Sequence, residues 1–258
     1  MSNAHSLGRK PFVKDKRDWP MFRLEQLITE GVAVPLKWSV PRILDQGDNG
    51  TCVAAGTLGA LDCDDETHTD PGFTNADIVP FFLKIAGHGD LPNGGAEVRE
   101  GLKAAQKAGY ITAYSRLTSS AQIKDWIEHH GPIVAGMDWY SSMDNPDSGG
   151  FVLIDGTVRG GHCVYGNGDV GGIDWVNSWT VEYGDKGHFY MTDASFARIQ
   201  NGDFEAWAVV QAAPVPVPTP TPTPTPTPAP TGLKAALRAI LATLRTAVTA
   251  LEKLISSL

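Results

Sequence analysis

Cysteine is scarce in this chain, with three residues in 258: Cys52, Cys63 and Cys163. Three thiols cannot form the disulfide framework of a small secreted scaffold, and nothing in the spacing of Cys63 and Cys163 pairs them. A fold without disulfides, compatible with a reducing compartment, is expected. Long apolar runs are missing too. No stretch has the length and apolarity of a membrane span, and Met1 to Phe12 lacks the apolar segment of a conventional secretion signal. A cytoplasmic or particle-associated (virion) location is the expectation. Adjacent His129 and His130 have no further ligands at metal spacing, so neither a metal nor a cofactor is expected.

Excess positive charge is also absent from most of the chain. The net charge is −8; residues 1–32 hold six Lys/Arg against four Asp/Glu, and residues 233–258 hold four against one. The stretch between them therefore carries about −13, which argues against a nucleic-acid footprint. At 258 residues the chain is long enough for one full-sized domain with extras.

What is present centres on Gln46-Gly47-Asp48-Asn49-Gly50-Thr51-Cys52-Val53-Ala54-Ala55. A turn-rich run delivers a cysteine to the start of a small-residue helix expected to reach Asp62. At a helix N-terminus the unpaired N–H groups and the positive end of the dipole favour thiolate over thiol. Gln46 lies six residues upstream across a tight turn, where its amide is able to meet an oxyanion forming beside the cysteine. Alone, such a cysteine is more often a buried small hydrophobe. Far downstream stand Gly160-Gly161-His162-Cys163-Val164 and Asp174-Trp175-Val176-Asn177-Ser178-Trp179, which offer a base and an orienting amide for it.

With these residues the sequence resembles the papain-like cysteine peptidases. The Gln46 to Cys52 spacing, the Gly-His-small-Val strand at His162, Asn177-Ser178-Trp179 and the run Tyr183 to Phe189 follow the family's motifs in order. Asn93-Gly94-Gly95 matches its Asn-Gly-Gly loop. The resemblance extends from about Pro35 to Val210. It implies Cys52 as nucleophile, His162 as base, Asn177 as orienter and Gln46 as oxyanion donor. It further implies a substrate cleft at Gly94, Gly95, Cys163 and Trp179, with Gly95 offering main-chain groups to extended peptide. Departures are Val53 after the nucleophile, Thr180 where the family has glycine, Cys163 after the histidine, and Asn49 where secreted members place a disulfide cysteine. The interval of 110 residues from Cys52 to His162 is shorter than the usual, roughly 130–150.

The expected fold is α+β and two-lobed, a helical lobe followed by a β-barrel-like lobe. Helices are predicted from Cys52 to Asp62, from Thr74-Asn75 through Ile85, from Gly95 to Gly109, and from Ala121 to His130 behind a Ser119-Ser120 cap. Strands are predicted at Ile133–Met137, Phe151–Ile154, His162–Tyr165, Gly172–Val176, Gly187–Met191 and Ala206–Gln211. Residues 1–32 form an N-terminal extension with a short apolar-periodic piece at 21–28, far shorter than the family's inhibitory propeptide. The peptidase region is then 33–213. A Pro/Thr-rich linker at 214–232 is expected to be an extended spacer of roughly 50 Å. Residues 233–258 carry a Leu/Ile stripe at helical spacing, read as a helix that self-associates or docks into a larger assembly; a membrane surface is the lesser option. The expected function is a thiol-dependent endopeptidase acting on polypeptide. The alternatives are an amidase or peptidase of peptidoglycan cross-links, or a particle component, such as part of a phage virion, carrying a peptidase on a stalk.

Overall fold

The computed structural model describes residues 5–15, 37–63, 71–212 and 233–255. The apolar-periodic piece at 21–28 and the Pro/Thr tract lie outside the described residues. The chain divides into two units, Met1–Val215 and Pro216–Leu258.

In the first unit, helix α1 (Cys52–Asp62) has all eleven residues buried. Its sequence explains this: Ala, Gly and Val leave a slim cylinder that other elements approach from every side. Helices α2 (Asn75–Phe82) and α3 (Val98–Lys107) pack on it, and a long strand, residues Val158–Asp169, lies across it. Its one buried carboxylate, Asp62, is paired with Arg42 and accepts the backbone N–H groups of Gly72 and Phe73, each at 3.0 Å. Helix α2 starts where expected, with the Thr74 N–H donating to Asp77 Oδ2 at 2.8 Å. Helix α4 (Ser120–His129) begins behind Ser119, whose hydroxyl accepts from Gln122 N at 3.2 Å.

Six antiparallel strands form one sheet in the order β1-β6-β2-β3-β4-β5. They are β1 (Ile111–Leu117), β2 (Ile133–Tyr140), β3 (Val158–Asp169), β4 (Ile173–Val176), β5 (His188–Met191) and β6 (Glu205–Gln211). Helix α5 (Asp193–Ile199) connects β5 to β6. Alternation along the strands serves two cores. Val134, Cys163, Tyr165, Trp207 and Val209 join the helices on one face, while Ile133, Ala135, Met137, Val164, Ala206 and Ala208 join an aromatic-rich cluster on the other.

The architecture is α+β, with two departures from the strand expectations. Phe151–Ile154 is not a strand; Phe151 makes only an isolated bridge to Tyr190, because the flanking turn Asp147 to Gly150 bends the chain across the edge of β5. Strand β1, absent from those expectations, pairs with β6 and inserts a strand before α4.

The second unit contains helix α6 (Leu233–Ile255). Leu237, Ile240, Leu241, Leu244 and Val248 are each more than half exposed on it. Among the described residues no helix is long and apolar enough to cross a membrane.

Contact between α1 and β3 depends on glycine. A Cβ on Gly59 would lie 2.5 Å from Tyr165 Cε1, and one on Gly56 would lie 3.0 Å from Cys163 Sγ. Gly-to-Ala in a helix ordinarily stabilises by about 0.5–1 kcal/mol. Here Gly59→Ala is expected to destabilise by about 1–3 kcal/mol through overpacking of the buried tyrosine ring. Chemical denaturation of the full chain gives the sign; a more stable Gly59→Ala chain contradicts the packing argument.

Candidate active site

The first turn of α1, the middle of β3 and the loop after β4 converge on one cleft. Cys52 opens α1, and its thiol receives hydrogen bonds from the backbone amides of Cys163, Gly8 and Val53. The Cys163 amide belongs to β3 and follows His162 directly, so the sheet register sets the thiol beside the histidine's own backbone. His162 Nε2 lies 2.8 Å from Asn177 Oδ1, and the same oxygen accepts the Ser178 N–H at 2.8 Å. An oxygen serving one backbone N–H as acceptor serves the ring as acceptor too, so neutral His162 carries its proton on Nε2. Nδ1 is then the basic nitrogen, and it is buried with no hydrogen-bond partner among the described residues.

Aromatic rings enclose this pair. Trp179 lies 4.7 Å from the His162 ring, and Trp139 of β2 meets it edge-on at 4.7 Å. Trp139 is a site residue that the motifs did not contain; its Nε1 is held by Asp144 Oδ1 at 2.9 Å. Gln46 joins the helical and strand halves. Its N–H donates to Ser178 O at 3.0 Å, and its side-chain Oε1 accepts from Ser178 Oγ at 2.7 Å. The amide nitrogen Nε2 thereby faces away from Ser178 and donates to Asn49 O at 2.8 Å and Ser6 O at 3.1 Å.

Ser6 belongs to a segment, His5 to Phe12, that runs through the cleft and touches both walls. Arg9 N donates to Gly161 O at 3.0 Å on one side; on the other, Ala96 N donates to Gly8 O and Lys10 N to Ala96 O, each at 2.8 Å. The bridge from Arg9 to Ala96 is parallel. His5 stacks on Trp179 at 4.6 Å, and the Phe12 ring meets the Arg116 and Arg99 guanidinium groups at 3.8 and 5.3 Å. Arg9 turns inward to an ion pair with Asp203 and Glu205, at 2.8 and 2.9 Å. Residues 194 and 196 positions apart leave no local pattern to read; the one signal was a glutamate in the otherwise apolar Glu205-Ala206-Trp207-Ala208-Val209 strand.

Two expected cleft residues sit differently from their assignments. Cys163 points its sulfur at α1, against Gly56, in the helix–sheet core; it meets the cleft through its amide and is no pocket wall, because the strand alternation that turns His162 to the aromatic face turns its neighbour to the other. The strand-like bonds to the segment come from Ala96, whereas Gly95 O accepts from Gly89 N at 2.8 Å. Gly95 contributes room: a Cβ there would meet Gly8 O at 2.3 Å, and one on Gly94 would meet Gly89 C at 2.3 Å. Thr180, where the family has glycine, has φ of +67°, a strained conformation for a β-branched residue. Its hydroxyl accepts the Glu182 N–H at 3.2 Å. Cys63 ends α1 beside Gly59 O and Asn167 Oδ1, each 3.5 Å from its sulfur. Among the described residues no group of three or more His, Cys, Asp or Glu is placed to hold a metal ion.

No protein-family model and no curated sequence matches the chain. Its fold does match solved structures. A cysteine protease of Xylella fastidiosa, xylellain, superposes with a TM-score of 0.62 at 22% identity over 80% of this chain and 96% of that one. The fold is that of the papain-like cysteine proteases. The proform of the ragweed pollen allergen Amb a 11 superposes at 0.51, with 15% identity over 69% of this chain and 66% of that one. Procathepsin L2 from the Tenebrio molitor larval midgut also superposes at 0.51, with 14% identity over 80% and 74%. In this papain-like frame the cleft between helical and strand halves is filled by the chain's own residues 5–12.

Filling the cleft changes its electrostatics. Burial pushes the Cys52 thiol up to about 11, outweighing the three amides that lower it, and burial pushes His162 down to about 4 against the raising effect of Asn177. Both groups are therefore held neutral at neutral pH. Because the thiolate is the reactive form, alkylation of Cys52 by iodoacetamide in the intact chain is expected to keep accelerating as pH rises toward about 11. Arg9→Ala breaks a buried pair worth about 3–5 kcal/mol, so it should raise the neutral-pH labelling rate by roughly 10²-fold or more. Mass spectrometry of the labelled peptide checks both; a plateau already at neutral pH in the intact chain contradicts the closed-cleft assignment.

Proposed function

We propose that this chain is a thiol-dependent endopeptidase held in a closed form by residues 5–12. The observation that carries the reading is the Nε2 to Asn177 Oδ1 bond of 2.8 Å, which leaves His162 Nδ1 as the free basic nitrogen, one residue before the amide of Cys163 that acts on the thiol at the start of α1. The papain-like fold supports the reaction class, and two of the similar solved structures are of proforms.

With the segment withdrawn and water admitted, desolvation no longer opposes ionisation. His162 Nδ1 takes the Cys52 proton, giving a thiolate–imidazolium pair. The sulfur attacks the carbonyl carbon of an extended peptide. Negative charge then gathers on the carbonyl oxygen, where Gln46 Nε2 and the Cys52 N–H stabilise it. Gln46 already donates to a peptide carbonyl, that of Ser6, which stands in for a substrate carbonyl in chemical type. The intermediate collapses with the C–N bond breaking, and His162 gives its proton to the departing amine. Water, deprotonated by the same imidazole, then hydrolyses the thioester. Asn177 holds the ring in place throughout, and Trp179 and Trp139 keep water off that hydrogen bond. Ala96, beside Gly94 and Gly95, is the main-chain partner for extended substrate, a strand-addition contact.

Hydrolysis of unfolded casein by full-length Arg9→Ala tests the reading. Adding Cys52→Ala or His162→Ala is expected to abolish turnover with the melting temperature retained, whereas Cys63→Ser keeps measurable turnover. Full activity in Cys52→Ala would sink the assignment. Gln46→Ala should lower turnover by about 10²–10³-fold. Because Gln46 also ties to Ser178, the loss counts as oxyanion stabilisation only if it appears in turnover and not in the melting curve.

A further inference from the structure

The side chain of Arg9 occupies a built site beside the thiol. Arg9 is 5% exposed although it is a cation on a chain segment crossing an open cleft. Its Nη1 donates to Asp203 Oδ2 at 2.8 Å and its Nη2 to Asp203 Oδ1 at 3.0 Å, a bidentate pair. Nη2 and Nε also reach Glu205 Oε1, at 2.9 and 3.1 Å. The other Glu205 oxygen accepts the Trp207 indole N–H at 2.7 Å, which fixes the carboxylate. Two glycines make room for the arginine stem. A Cβ on Gly136 of β2 would lie 2.6 Å from Arg9 Nε, and one on Gly161 of β3 would lie 3.0 Å from Arg9 Cδ.

None of these groups belongs to the segment except Arg9 itself. Glu205 is 2% exposed with the segment in place, and the segment's Arg9 is the cation that covers it at 2.9 Å; when the segment leaves, Asp203 and Glu205 lose that cation together. Two carboxylates held side by side, one of them fixed by the Trp207 indole, repel each other without a cation between them, so the emptied site selects a cationic side chain. It also lies next to the chemistry, since the neighbouring residue, Gly8, hydrogen-bonds the Cys52 thiol through its backbone. We propose that Asp203 and Glu205 form a specificity site that makes the peptidase select polypeptides with arginine within two residues of the cleaved bond. The proposal rests on the peptidase reading above. The planar fork of five donors matches Asp203 edge-on and Glu205 at its flank, a pattern that lysine's single ammonium cannot reproduce. The order of preference is therefore arginine, then lysine, then leucine.

The test uses full-length Arg9→Ala, in which the chain's own arginine no longer fills the site. Fluorogenic peptides identical except for one Arg, Lys or Leu, walked through the positions flanking the bond, are compared by kcat/KM. At its best position, within two residues of the bond, arginine is expected to exceed leucine by roughly 10²-fold or more, because the site's polar groups go unpaired with leucine. Adding Glu205→Gln should pull that ratio down by about tenfold or more. Turnover of both peptides with leucine equal to or better than arginine at every position overturns the proposal and leaves the peptidase standing; Asp203 and Glu205 would then be only a latch for the segment. Turnover of no peptide by Arg9→Ala overturns the peptidase reading and this proposal with it.

Discussion

Everything in the cleft hangs on how closely α1 approaches β3. The helix is made of residues too small to hold neighbours away, and at Gly56 and Gly59 it has no side chain between its backbone and Cys163 or Tyr165. That closeness brings the Cys163 amide into hydrogen-bond range of the Cys52 thiol, and the histidine one residue earlier comes with it. A bulkier helix would keep the same topology and lose this juxtaposition. The slim helix is thus a constraint of the site as much as of the core.

The same burial sets the protonation of the resting chain. A thiol at a helix start beside an imidazole is expected to ionise, yet here the thiol is pushed up to about 11 and the imidazole down to about 4. The groups favouring the charged pair are all in place: three amides on the sulfur and Asn177 on the ring. Water is kept from them by the segment on one side and by the tryptophans on the other. The groups that favour charge and the burial that opposes it therefore share one geometry, and solvent access decides which of the two prevails.

Much of this was legible in the sequence because it is locally encoded. Small residues after a turn announce α1, the Ser119 and Thr74 caps announce two more helices, and the His162 and Asn177 surroundings are contiguous runs. The illegible parts depend on contacts between distant residues. Arg9 stands in a polar, mixed-charge stretch with no feature of its own; only the fold brings it to Asp203 and Glu205. Trp139 lies two residues past the end of the strand expected at Ile133–Met137, in the part by which β2 extends to Tyr140, and its edge-on approach to His162 follows from the Met137 to His162 register, which sequence does not display. Phe151–Ile154 has the composition of a strand and lacks a full pairing partner. For Cys163, the motif placed the residue at the site without revealing which way its side chain turns.

Gly8 has a kinetic consequence. It crosses the thiol with no side chain, and a Cβ there would meet Gly50 O at 2.0 Å. The segment is therefore seated as deeply as a backbone can be, while remaining covalently part of the molecule it blocks. Its departure and return are unimolecular, so the closed fraction is independent of how dilute the protein is. One chain break between Phe12 and Lys37 would make the return bimolecular, and dilution would then shift the balance toward the open form.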